Sequence, residues 1–220
     1  MPLKAVLLDI DGTLVDSNDA HARAWVDALA EAGHRVPFER VRRLIGMGGD
    51  KLLPEVVGIS EDSEEGGRLS TRRSAIFKER YLPTVRPFPG SRALLERFRR
   101  DGLTLAVASS AKADELDPLL RIAGADGLVS ARTSSDDAEE SKPDPDIVHA
   151  ALARVGQPPD AVLMLGDTPY DVEAATRAGV GIVVLRCGGW DDRALAGALA
   201  IYDDPAELMA RYEESPFAEF

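Results

Sequence analysis

The stretch "KAVLLDIDGTLVDS", residues 4–17, decides the fold. An apolar run with the character of a buried strand ends by placing Asp9, Asp11 and Asp16 within eight residues of one another. Carboxylates at the end of a buried strand need a reason, because an unpaired buried charge is expensive.

Working outward, short apolar runs recur, each followed by an amphipathic stretch. They are "LTLAVASS" (103–110), "GLVSAR" (127–132), "AVLMLGD" (161–167), "GIVVLRC" (181–187) and, more weakly, "ALAIYDD" (198–204). Near-continuous apolar strands alternating with helices predict a parallel sheet covered on both faces. Between them, Leu94, Leu95 and Phe98 share a helical face, as do Leu116, Leu119, Leu120 and Ile122. A third helix, with Ile147, Val148, Ala151, Leu152 and Val155, stops at Gly156. The fold expected is α/β, a Rossmann-like doubly wound parallel sheet.

The gap between the first and second strands is too long for one crossover and reads as helix. Trp25, Val26 and Leu29 share one face, and Phe38, Val41, Leu44 and Ile45 another. A polar, glycine-broken stretch runs on to about Tyr81, and Pro83, Pro87, Pro89 and Gly90 mark a boundary. A core of 1–15 and 86–220 interrupted by an α-helical cap, 16–85, is the expected organisation.

With 26 Lys and Arg against 38 Asp and Glu, the net charge is −12. Such a chain repels nucleic acid and anionic membranes over most of its surface. An anionic substrate must be met by local positive charge or a metal. The single cysteine, Cys187, excludes an internal disulfide and a thiolate metal cluster. No run approaches the ~18 apolar residues of a membrane helix, and the first strand begins at once. A soluble, cytoplasmic protein, monomer or homodimer, is expected, with no nucleic acid or membrane partner.

In a doubly wound sheet, ligands bind beyond the carboxyl ends of the strands, where the winding reverses. That edge receives Asp9 and Asp11, then Ser109 and Ser110, then Asp167, with Asp171 beyond and Lys142 before "PDPD". Carboxylates converging there repel one another unless a cation lies among them. Oxygen donors without His or Cys select Mg²⁺. Lys142 is a point charge suited to a phosphoryl oxygen. Of two neighbouring acids, one can attack in line while the other moves a proton. Gly12 permits a tight turn after the pair, and Thr13 is expected to bond back to the backbone.

"DIDGTLVDS", the strand-end Ser109, Lys142 in "SKPDPD" and "GDTPYD" resemble, in order, the four motifs of the haloacid dehalogenase superfamily, in its branch with a helical cap after the first motif. The resemblance implies Asp9 as nucleophile, Asp11 as general acid and base, and Ser109 on a phosphoryl oxygen. Lys142 would neutralise the aspartyl phosphate. Mg²⁺ would be held by Asp9, Asp11 through its backbone carbonyl, and Asp167, with Asp171 in support. Gly12, Thr13, Ser110, Lys51 and His21 are the remaining substrate-binding candidates, and the cap would close over the site and select the substrate. Asp11 argues for an oxygen leaving group rather than a halide. A Schiff-base role for Lys51, as in phosphonoacetaldehyde hydrolases, lacks a visible partner that would depress its pKa.

The expected activity is a Mg²⁺-dependent phosphatase acting on phosphoglycolate or a sugar phosphate. A hexose-phosphate mutase resembling β-phosphoglucomutase is the alternative, suggested by "HARAW" and "ASSAK". Mutases carry an acid before the fourth-motif Asp, where this chain has Gly166. A non-catalytic binding protein on the same scaffold is the remaining reading. His21 is expected to be a solvated helical residue, 134–141 a solvated loop, and Cys187 a small core residue ending a strand.

Overall fold

The computed structural model describes residues 2–218. The chain divides into two compact units: one holds the sequence through Asp16 and from Arg86 onward, the other Ser17–Val85. In chain order the strands are β1 (Ala5–Leu8), β2 (Val15–Asp16), β3 (Arg86–Pro87), β4 (Thr104–Ala108), β5 (Ala131–Thr133), β6 (Val162–Gly166), β7 (Gly181–Leu185) and β8 (Ala200–Tyr202). Six form a wholly parallel sheet in the order β5-β4-β1-β6-β7-β8. The chain winds from β1 outward to β5, returns across β1 to β6 and winds outward again. The reversal therefore falls at β1, where such sheets bind ligands.

Three strands depart from expectation. "GLVSAR" contributes only its end, since the strand is Ala131–Thr133 and Gly127 turns at φ 73°. β2 and β3 pair antiparallel, Asp16 opposite Arg86, so Asp16 belongs to a two-stranded ribbon of the core unit and not to the helical segment.

The helical unit comprises α1 (Asn18–Glu31), α2 (Phe38–Arg42), α3 (Gly49–Val57) and α4 (Glu64–Ile76), the last running into a π-helical turn, Phe77–Tyr81. Ala22, Trp25, Leu29, Val41, Ile45, Leu52, Leu53, Val56 and Leu69 form its core. The stretch around Lys51 resolves as a helix start: Gly49 opens α3, with Asp50 in the first turn.

The core helices are α5 (Ser91–Arg100), α6 (Ala113–Ala123), α7 (Asp146–Val155), α8 (Pro169–Arg177) and α9 (Pro205–Ala210). Alternate strand residues share a face, so Ala5, Leu7, Ala106, Ala108, Val162, Met164, Ile182 and Val184 pack together with Ile147, Val148 and Ala151 of α7 and Val172, Ala174 and Ala175 of α8. α5 packs on both β4 and α9 within the same unit. The whole of β1 is inaccessible to solvent. Each fully buried Leu or Val side chain there contributes roughly 1.5–3 kcal/mol, which anchors the strand that carries Asp9. Among the described residues no helix is long and apolar enough to cross a membrane.

Candidate active site

Register brings three strand ends level. Leu8 of β1 lies opposite Val107 of β4 and Leu165 of β6. One residue on, the Asp9 amide donates to the Leu165 carbonyl at 2.9 Å. Beyond the sheet the chain turns sharply: the amides of Thr13, Leu14 and Val15 all converge on the Ile10 carbonyl, and Gly12 occupies φ 77°, a region costly to a side chain. Half-buried Asp11 lies in this turn, in a bridge to Val15.

The turn throws Thr13 back onto the site rather than onto the backbone. Its hydroxyl lies 3.1 Å from Asp9 Oδ2 and 2.9 Å from Asp167 Oδ1. One proton serves two carboxylates, so this contact orients both and neutralises neither. Lys142 supplies the neutralising charge. It is 1 % exposed, with Nζ 2.7 Å from Asp9 Oδ1 and 2.7 Å from Asp171 Oδ1.

Asp171 is further engaged at the start of α8. Its Oδ2 accepts from the amide and hydroxyl of Thr168, at 3.0 and 2.7 Å, while its own amide donates to Thr168 Oγ1. This reciprocal cap fixes the helix N-terminus. A Cβ on Gly166 would stand 2.8 Å from the Asp171 Cβ, so glycine there lets the cap close.

Burial pushes the Asp9 carboxyl up to about 7; the Lys142 ammonium opposes that rise, and the Asp171 and Asp11 carboxylates add to it. Burial alone would lower Lys142, but Asp171 and Asp9 outweigh it and hold the ammonium well above its ordinary range. Asp9, Asp167 and Asp171 each offer an oxygen within 4.8 Å of the others. Three carboxyl groups meeting one ammonium leave the site short of positive charge whenever all three are ionised. That deficit and the all-oxygen donor set fit a hard divalent cation.

Ser109 is buried at the end of β4, its Oγ accepting from the Ala111 amide at 3.0 Å, and Ser110 is half-buried beside it. Lys51 and His21 lie in the helical unit. His21 is not solvated: it is 4 % exposed, stacks on Phe77 with ring centroids 3.9 Å apart, and its Nδ1 accepts from Arg73 Nη2 at 2.5 Å. The acidic segment 134–141 carries a 3₁₀ turn closed by Ser134 N–H donating to Asp137 Oδ2 at 3.0 Å, and Arg154 pairs with Asp137. Cys187 is half-buried in a 3₁₀ turn, Arg186–Gly188, and its thiol donates to the Gly12 carbonyl at 3.4 Å. No function is assigned to this turn from the sequence; the glycine pair following Cys187 is the signal that it approaches another segment closely.

Residues 3–179 match the haloacid dehalogenase-like hydrolase family. The chain is 32 % identical to a phosphoglycolate phosphatase of Rhodospirillum rubrum, covering 93 % of this chain and 89 % of that one. It is 30 % identical to an N-acetylmuramic acid 6-phosphate phosphatase of Pseudomonas aeruginosa, covering 95 % and 94 %. The crystal structure of a hydrolase from Pseudomonas syringae superposes with a TM-score of 0.87 at 32 % identity, over 96 % of this chain and 98 % of that one.

Proposed function

The chain belongs to the haloacid dehalogenase-like hydrolase family and is a phosphoric monoester hydrolase, and we propose that it hydrolyses a small phosphorylated metabolite, phosphoglycolate or a sugar phosphate, through an aspartyl phosphate on Asp9. The observation that carries this reading is Asp9 itself, seated at the switch point of the sheet with Lys142 on one oxygen and Thr13 on the other.

In the proposed reaction a carboxylate oxygen of Asp9 attacks phosphorus, and the bond to the ester oxygen breaks. Asp11 gives that leaving oxygen its proton, then takes one from the water that attacks phosphorus in the second step. Phosphate departs and Asp9 is regenerated. Lys142 offsets the charge on the phosphorylated side chain, and the Ser109 hydroxyl donates to a phosphoryl oxygen. Asp9, Asp167 and the backbone carbonyl of Asp11 would hold Mg²⁺, with Asp171 in support; the ion supplies positive charge against the phosphoryl oxygens. Gly12 and Ser110 are assigned to the substrate's phosphate end.

The mutase alternative expects an acid at position 166. With Asp171 capping α8, a Cβ there has 2.8 Å to the Asp171 side chain, which supports the phosphatase reading. The test is a panel of phosphate monoesters assayed for released phosphate with and without Mg²⁺. Rapid Mg²⁺-dependent release from phosphoglycolate or a sugar phosphate is expected. Isomerisation of β-glucose 1-phosphate without phosphate release sinks the reading.

A further inference from the structure

We propose that the turn after β7, Arg186–Gly189, is a positioning element for the Asp167 carboxylate, and that Gly188 is its central residue. A Cβ built on Gly188 would stand 1.9 Å from Asp167 Oδ2, 2.5 Å from its Cγ and 2.6 Å from its Cβ. These distances lie far inside van der Waals contact. Rotating the carboxylate about its own bonds does not relieve them, because the Asp167 Cβ is itself too close. Backbone conformation does not explain the glycine either. Gly189 takes φ 93° and needs a glycine for that reason, whereas Gly188 is not at positive φ. Close approach to Asp167 is the reason for glycine at 188.

The carboxylate is therefore held from two sides. The Thr13 hydroxyl lies at Oδ1, 2.9 Å away, and the bare backbone of Gly188 lies against Oδ2. One residue earlier, the Cys187 thiol donates to the Gly12 carbonyl, tying the same turn to the loop that carries Asp11 and Thr13. The turn is anchored in its own right. Arg186 Nε and Nη2 donate to the two oxygens of Asp192 at 2.6 and 3.0 Å, and Nη1 donates to Asp203 at 2.7 Å. The Cys187 amide donates to the Asp203 carbonyl at 2.9 Å. A segment latched by the Arg186 ion pairs thus sets where a metal-holding oxygen stands. Residues that orient metal ligands without touching the metal typically govern affinity by about 10–100-fold.

The proposal rests on the metal reading of the site, and its test separates the two. Mn²⁺ is titrated into metal-free protein without substrate and the free ion followed by electron paramagnetic resonance, alongside thermal melts. Gly188→Ala is expected to weaken Mn²⁺ binding by at least about tenfold in protein that still melts cooperatively. A glycine needed only for folding would lower the melting temperature and leave the affinity of the folded protein alone, and that result overturns the proposal. Should Gly188→Ala fail to fold, Arg186→Gln decides, because it unlatches the turn by removing only partly exposed ion pairs of small stabilising effect. Several-fold weaker Mn²⁺ binding with little change in melting supports the proposal, and wild-type affinity overturns it. If the wild-type protein takes up no Mn²⁺, the metal reading itself falls and the positioning claim falls with it.

Discussion

Lys142 holds two buried carboxylates, Asp9 and Asp171, at 2.7 Å each. Removing one partner of a buried ion pair costs about 3–5 kcal/mol, because the other charge is left uncompensated in a poor solvent. Lys142→Ala is thus expected to lower the unfolding free energy by that order, read from denaturant titration, and to abolish phosphate release; an unchanged unfolding free energy would show that the pairs add nothing. Asp9 carries the pH dependence. Its carboxyl is raised in the fold from 3.8 to about 7, so the metal-free folded chain binds more protons than the unfolded chain across that interval. The associated stability is fully present below about 3.8 and is lost as pH rises through about 7. A divalent cation must displace that proton, so apparent Mn²⁺ affinity should weaken as pH falls below about 7, which titrations at several pH values would check. The acids and the lysine were legible in sequence because each follows a strand or opens a loop at a fixed spacing. The Thr13 contacts and the approach of Gly188 were not, since they depend on how distant segments meet.

At the scale of elements, the strands could be read wherever both faces are buried, as in β1, β4, β6 and β7. β5 pairs on one side only, and its three residues are shorter than the apolar run that announces it. β2 and β3 have two residues each, too few for any periodicity. α4 buries Ser70 and Ser74 beside Leu69 and Ile76, so hydroxyls occupy its inner face and its hydrophobic stripe is faint. The helical unit instead gathers a cation and aromatic rings: the Arg73 guanidinium carbon stands 5.5 Å from the Trp25 ring centre and 5.4 Å from that of Phe77. Phe77→Ala removes a fully buried ring and the stack on His21. A loss of about 3–5 kcal/mol is expected. Hydrogen exchange should locate it, with amides of α1 and α4 exchanging faster while those of β1, β4 and β6 keep their protection. Equal loss of protection in the strands would contradict a separate helical core.

At the scale of the molecule, a chain of net charge −12 must attract and hold a phosphate ester. Among the described residues Lys142 is the only buried lysine or arginine, and the proposed reaction draws its further positive charge from a bound cation. Chelation is therefore expected to stop phosphate release, and returning Mg²⁺ to restore it. Mg²⁺ at a hundred times its dissociation constant should stabilise the fold by about 2.7 kcal/mol, read as a rise in melting temperature. The reaction itself is tested most directly by mixing the protein with a radiolabelled phosphate monoester, quenching rapidly in acid, and mapping label bound to the chain. The expected result is label on the peptide bearing Asp9, released by hydroxylamine and absent from Asp9→Asn, whose phosphate release falls by on the order of a thousandfold or more. Label on a different residue, or near-wild-type phosphate release by Asp9→Asn, would contradict the assignment of Asp9 as the attacking group.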